Sequence, residues 1–237
     1  MTAPPAPSSD ALNEAIRLFN HEKTLDAYRL LKQHKVESVS ELNVDEQSKK
    51  DLHQILEDGK FAEFLLNEFE SGNGWHQCVN KDKMQSFYKD KGSGLHAVKV
   101  QGSIEAPIFQ VLSIFYEGMY QCEFLKFMKI TVDLYASWVP SMKESTVIHK
   151  FDKYRFLSYF SFSLPWPFSP RDLVSYAFAI DQLESDGSII IVVKGVTSES
   201  QYKDIIVPYE KTGSVFAGCE YSGVRIKYIS PGKIIIH

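Results

Sequence analysis

Ser163-Leu-Pro-Trp-Pro-Phe-Ser-Pro-Arg-Asp172 decides how this chain is read. Its three prolines fix their own backbone angles and remove three donors, so the stretch is a stiff turn that no central strand could hold. The segments on either side, 155–164 and 172–183, are rich in Phe, Tyr, Val and Ser and read as strands. A rigid turn that displays Trp166 and Phe168 forms either the lip of a pocket or a surface that meets lipid. In the alternative, both rings fold back onto the core.

Outward from this hairpin, further strands are expected at 146–151, 188–197, 215–228 and 233–237. Before it, three short runs at 75–79, 84–88 and 95–104 are separated by Lys/Asp/Gly turns and read as a meander. Between these groups Pro107 opens a helix with Ile108, Val111, Leu112 and Phe115 on one face, and a second apolar helix covers 120–138. The first 70 residues have helical period: Leu12, Ile16 and Phe19; Leu25, Tyr28 and Leu31; Leu52, Ile55 and Leu56. Ser9 or Asp10 is placed to cap the first helix. Gly59 interrupts the pattern before a further helix with Phe61, Phe64, Leu65 and Phe69.

The order helices, strands, helices, strands has no βαβ alternation. The fold class expected is therefore α+β, a curved antiparallel sheet with helices, preceded by a small all-helical region. Residues 1–10 read as a disordered head, 11–58 as the helical region and 59–237 as the sheet-bearing domain.

Composition bounds the function. The chain has 237 residues, 44% hydrophobic and 24% charged, with a net charge of −4, so nothing in its bulk electrostatics calls for nucleic acid. The longest apolar run, 189–193, is too short to span a bilayer, and the head lacks a secretory signal; the reading is a cytosolic protein. Cys78, Cys122 and Cys219 are far apart and odd in number, which fits reduced, buried thiols. Acidic side chains outnumber basic ones by 14 to 8 over the first 70 residues. That excess reads as a solvated helical face, or as a docking surface for a basic partner or for the chain's own second half.

Leu164-Pro-Trp-Pro-Phe-Ser-Pro-Arg-Asp-Leu-Val174 resembles the apolar loop and following Arg-Asp strand of the START (StAR-related lipid-transfer) domain family, whose fold is a helix-grip. Gly74-Trp75, Ile104-Glu-Ala-Pro107, Trp138-Val-Pro140 and Lys143-Glu-Ser145 add to the resemblance in the same order, and the likeness runs from about Lys60 to the chain end. It implies a sheet wrapped around a tunnel for one lipid or sterol, and transient membrane contact near Trp166 and Phe168. It also implies a last hairpin and C-terminal helix, for which no residues follow Lys233-Ile-Ile-Ile-His237; either the chain is a truncated product or something else covers the sheet, for which the N-terminal helices are the only candidates inside this molecule.

Many family members carry an acid on the strand before the loop and an arginine six positions after the loop's own Arg. Counting on this chain gives Ser161 and Ala177, so that ion pair is absent. The hydroxyls of Tyr159, Ser161, Ser163 and Tyr176 are left as polar contacts for a headgroup or sterol hydroxyl, with Trp166, Phe168 and Arg171 at the loop. Arg171 and Asp172 point in opposite directions, and a salt bridge at the strand start is the expectation for one of them.

Catalytic signals are weak. No Gly-x-Ser-x-Gly elbow occurs, and the serines between 158 and 169 have no sequence-level activating partner. His76 and Cys78 share a strand face by alternation but lack a second pair to complete a zinc site. No catalytic residue, metal or cofactor is assigned. Binding of a single lipid or sterol in an apolar cavity, with transfer between membranes, is the leading reading. An adaptor whose N-terminal helices hold a protein partner is the alternative, and an enzyme built in the same kind of cavity is a weaker third.

Overall fold

The computed structural model describes residues 8–112, 141–196, 201–207 and 213–237. The chain divides into two compact units, one made of 1–102, 180–190 and 236–237, the other of 103–179 and 191–235.

The first unit opens with α1 (Ser9–Phe19), α2 (Thr24–Gln33) and α3 (Glu46–Glu70). The cap of α1 is Ser8, one residue earlier than the sequence implied; its hydroxyl accepts from the Ala11 amide at 3.3 Å, while Ser9 and Asp10 lie in the first turn. Asp45 caps α3 by accepting from the amides of Gln47 and Ser48, each at 3.0 Å. α1 and α2 are too short to be stable alone, so their apolar faces close on one another and on α3. Leu12, Ala15 and Phe19, Ala27, Tyr28 and Leu31, and Leu52 and Ile55 form that core, with Val36 and Val39 from the α2–α3 connection.

Gly59 does not interrupt a helix. The 25-residue α3 runs straight through it, across the boundary expected at residues 58 and 59. Its role is close approach: a Cβ on Gly59 would lie 2.3 Å from the Cβ of Tyr28, so the missing side chain lets α2 pack against α3.

The same unit carries the expected meander, β1 (His76–Lys81), β2 (Met84–Gly92) and β3 (Leu95–Ile104), all antiparallel. The last turn of α3 has no basic residue of its own, and Lys99 from β3 supplies the missing cation. Its ammonium donates to the carbonyls of Glu68, Phe69 and Ser71 at 3.2, 3.4 and 3.1 Å and lies 4.7 Å from the Trp75 ring. Burial lowers the Lys99 pKa, with Glu68 opposing that shift. Segment 180–190 docks on the helices: the Asp181 amide donates to the Glu22 carbonyl at 2.9 Å, and Lys23 pairs with Glu184.

In the second unit β4 (Met142–Lys150), β5 (Arg155–Phe162) and β6 (Arg171–Gln182) pair antiparallel. β7 (Ser188–Gly195), β11 (Ser222–Ser230) and β12 (Lys233–Ile236) follow in hydrogen-bonded order. A two-stranded ribbon, β8 (Gln201–Tyr202) and β9 (Ile205–Ile206), stands apart from that order.

The single strand expected at 215–228 is two. β10 (Val215–Phe216) runs parallel to the start of β6, and residues 217–221 lead from it into β11. That lead-in presses on β7, since a Cβ on Gly195 would fall 1.7 Å from the Cys219 carbonyl oxygen. Residues 108–112 are helical, with Ile108 and Val111 buried. Phe115, Cys122, Trp138, Pro140 and the helix expected at 120–138 lie outside the described residues.

Gly59→Ala separates two effects. Helix propensity alone favours alanine by about 1 kcal/mol, whereas overpacking against Tyr28 costs roughly 1–3 kcal/mol. The expected net result in urea unfolding is destabilisation, and a stabilised variant would show that α2 and α3 are not in contact at this point.

Candidate functional site

Strand alternation sorts the β5–β6 hairpin into two faces. The register pairs Arg155 with Phe178, Leu157 with Tyr176, Tyr159 with Val174 and Ser161 with Asp172 on one face. On the other it pairs Phe156 with Ala177, Ser158 with Ser175, Phe160 with Leu173 and Phe162 with Arg171. Tyr159, Ser161 and Tyr176 are therefore brought onto one face, and all three are buried. Ser163 lies just past the end of β5, half-buried, with its amide donating to the Ser141 carbonyl at 2.6 Å.

The connecting turn settles the question left open for its two rings. Trp166 is 92% and Phe168 61% exposed, so neither folds back onto the core. The turn closes on a Phe168 amide to Pro165 carbonyl bond of 3.0 Å.

Arg171 and Asp172 diverge as alternation requires, but the salt bridge expected at the strand start does not form. Arg171 lies on the opposite face from Asp172 and donates from Nη1 to the carbonyls of Ser169 and Pro170, at 2.7 and 3.4 Å. Asp172 points inward, 4% exposed, and neither of its carboxylate oxygens has a hydrogen-bond partner. The register also alters the counted pair. Ser161 stands opposite Asp172, whereas Ala177 stands opposite Phe156, so those two positions are on different faces.

The face carrying Tyr159 and Ser161 has two ends of different character. Near the turn, β4 extends the rows: Glu144 opposes Ser161, and Thr146 opposes Tyr159. The row nearest the turn thus reads Glu144, Ser161, Asp172 across three strands. At the other end Tyr176 is enclosed by rings, stacked on Tyr202 at 5.5 Å and edge-on to Phe151 at 5.7 Å, with Phe178 at 5.6 Å. The Lys203 ammonium covers this cluster, 4.9 Å from the Phe151 ring, 5.4 Å from Tyr176 and 5.7 Å from Tyr202. Phe151, Tyr176, Phe178 and Tyr202 are therefore packed as one ring cluster.

Sequence reasoning missed two buried polar groups. The sequence places one of Arg171 and Asp172 inward without showing which, and it is Asp172. Ser175, 1% exposed and opposite the buried Ser158, has a hydroxyl without a partner. The only sequence signal for either was alternation along β6, which sets direction but not the partners that are missing.

The cysteine reading needs correction as well. Cys78 is exposed. Cys219 is partly buried, burial raises its thiol pKa, and the thiol donates to the Tyr221 carbonyl at 3.6 Å. Cys78 falls where the β1–β2 register slips between Gln77 and Val79, so simple alternation does not set it beside His76. Among the described residues no group of three or more His, Cys, Asp or Glu side chains is placed to hold a metal ion, and no helix is long and apolar enough to cross a membrane.

No family model matches the sequence, and no curated protein matches it. Solved structures do match its fold. Human STARD10 aligns with a TM-score of 0.55 at 17% identity, over 82% of this chain and 66% of its own, so this chain spans just under two thirds of that structure's length. Human StAR-related lipid transfer protein 5 aligns with a TM-score of 0.55 at 17% identity, over 75% of this chain and 76% of its own. A fragment of the STAR-related lipid transfer protein from Xanthomonas axonopodis gives 0.51 at 18% identity, over 70% and 81%. The chain has the α+β helix-grip fold of StAR-related lipid-transfer domains, as its sequence implied.

Lys203→Ala tests the packed end of the face. Losing a cation that covers three rings should lower stability by roughly 0.5–1 kcal/mol in chemical denaturation. An unchanged midpoint would mean that the ammonium is solvated and the ribbon is held by its rings alone.

Proposed function

We propose that this chain is a non-enzymatic binder of a single lipid or sterol, which it takes from and returns to a membrane through the turn at 163–170. The observation that carries the reading is the pair Trp166 and Phe168, 92% and 61% exposed on a turn stiffened by three prolines. Water is a poor solvent for both rings. Burying a ring of this size is worth about 1.5–3 kcal/mol, and an indole with an apolar body and a polar N–H suits the bilayer interface. Because the turn is rigid, ordering it at a membrane costs little conformational entropy.

Binding energy for the guest would come from its hydrocarbon, at about 0.8 kcal/mol per methylene removed from water. Tyr159, Ser161 and Ser163 carry hydroxyls at the β5 end of the turn and would meet the guest's polar end. Tyr176, enclosed by rings, would act through packing. The fold shared with solved lipid-transfer proteins supports the same reading.

Two experiments test it. After incubation with mixed liposomes, native mass spectrometry should show one lipid adduct per chain; a clean unliganded mass would count against binding. The double variant Trp166→Ala, Phe168→Ala should bind vesicles at least roughly tenfold more weakly, since it removes two rings' worth of interfacial burial. Its unfolding should stay within about 0.5 kcal/mol of wild type because both side chains are exposed. Vesicle binding that survives the double change would place membrane contact elsewhere.

A further inference from the structure

We infer that the buried carboxylate of Asp172 receives a hydrogen-bond donor from the guest, so that the lipid held here presents an O–H or N–H group at its polar end. The inference rests on the lipid-binding reading above and adds the chemistry of the headgroup.

A carboxylate withdrawn from water needs donors, and among the described residues none donates to Asp172. It is 4% exposed with both oxygens unpartnered. The adjacent guanidinium of Arg171 cannot serve, because alternation places it on the opposite face and it donates to the carbonyls of Ser169 and Pro170. Across the two ladders that flank Asp172, its register partners are Ser161 on β5 and Phe216 on β10. Phe216 offers no side-chain donor. Beyond Ser161 the row continues to Glu144, a second acid.

A buried carboxylate beside a serine repels a phosphate or carboxylate and attracts a hydroxyl or an amine. Ser161 and Asp172 are also the pair on this face next to the exposed turn, so a guest entering polar end last would leave its head beside them. A desolvated acceptor of this kind discriminates sharply, since a guest without the donor leaves the carboxylate unsatisfied.

Matched lipid pairs differing only in the donor provide the test. The full chain is incubated with phosphatidylcholine vesicles containing cholesterol and its methyl ether, dioleoylglycerol and its methyl ether, or oleylamine and its trimethylammonium analogue. Bound lipid is then read by native mass spectrometry. The donor-bearing member of at least one pair should be retained roughly 10- to 100-fold over its blocked partner, as expected for a hydrogen bond to a charged group. The hydroxyl and amine pairs distinguish the two sources of the donor.

In Asp172→Leu that preference should collapse to within about twofold, while thermal unfolding stays at or above wild type because an unpaired buried charge has been removed. Equal uptake within every wild-type pair, or a preference that persists in Asp172→Leu, overturns the assignment while leaving lipid binding intact. Should the variant not fold, the wild-type pairs decide alone. A chain that takes up no lipid at all overturns the lipid-binding reading and this inference with it.

Discussion

Both faces of the β5–β6 hairpin are largely withdrawn from water, and this constraint governs the second unit. A strand buried on one side can leave its polar residues on the other, but here each residue must find a partner or go without. Along one face the need is met by the ring cluster around Tyr176 with the Lys203 ammonium over it. Arg155 is matched by Asp152 at 2.7 Å. Where partners fail, at Asp172 and Ser175, the fold holds polar groups whose desolvation is not compensated among the described residues. Such groups are the natural place to look for a guest.

The turn that joins these strands brings opposite properties together. Proline prevents it from pairing and aromatic rings make it poorly soluble, yet it stays in water because its ends are fixed by β5 and β6. The residues just inside it, Ser161 and Asp172, are buried within a few positions of a fully exposed indole. A short path thus links surface chemistry at Trp166 to interior chemistry at Asp172, and the proposed exchange of a lipid uses both ends of it.

Much of this was legible in the sequence. The prolines located the turn, β-rich runs located most strands, and the ordered motifs from Gly74 to Val174 pointed to the helix-grip fold. What was not legible depended on tertiary neighbours. Gly59 read as a helix break because glycine has low helix propensity; the gain from seating Tyr28 against it is invisible locally. The 215–228 run read as one strand because its composition does not reveal that Val215 and Phe216 pair parallel with β6. Of the residues named for the site, Tyr159 and Ser161 lie together near the turn and Tyr176 belongs to a ring cluster. Arg171 faces away. Strand parity predicts face, but only the register shows which positions meet, and it separates Ser161 from Ala177.

On the proposed function, the chain carries a lipid between membranes without chemical turnover. Transfer of a fluorescent lipid from quenched donor vesicles to acceptor vesicles measures this directly. The expected result is a rate that rises in proportion to chain concentration, with the lipid recovered chemically unchanged. A rate equal to that of buffer, or a lipid recovered as a hydrolysed or modified product, would contradict it.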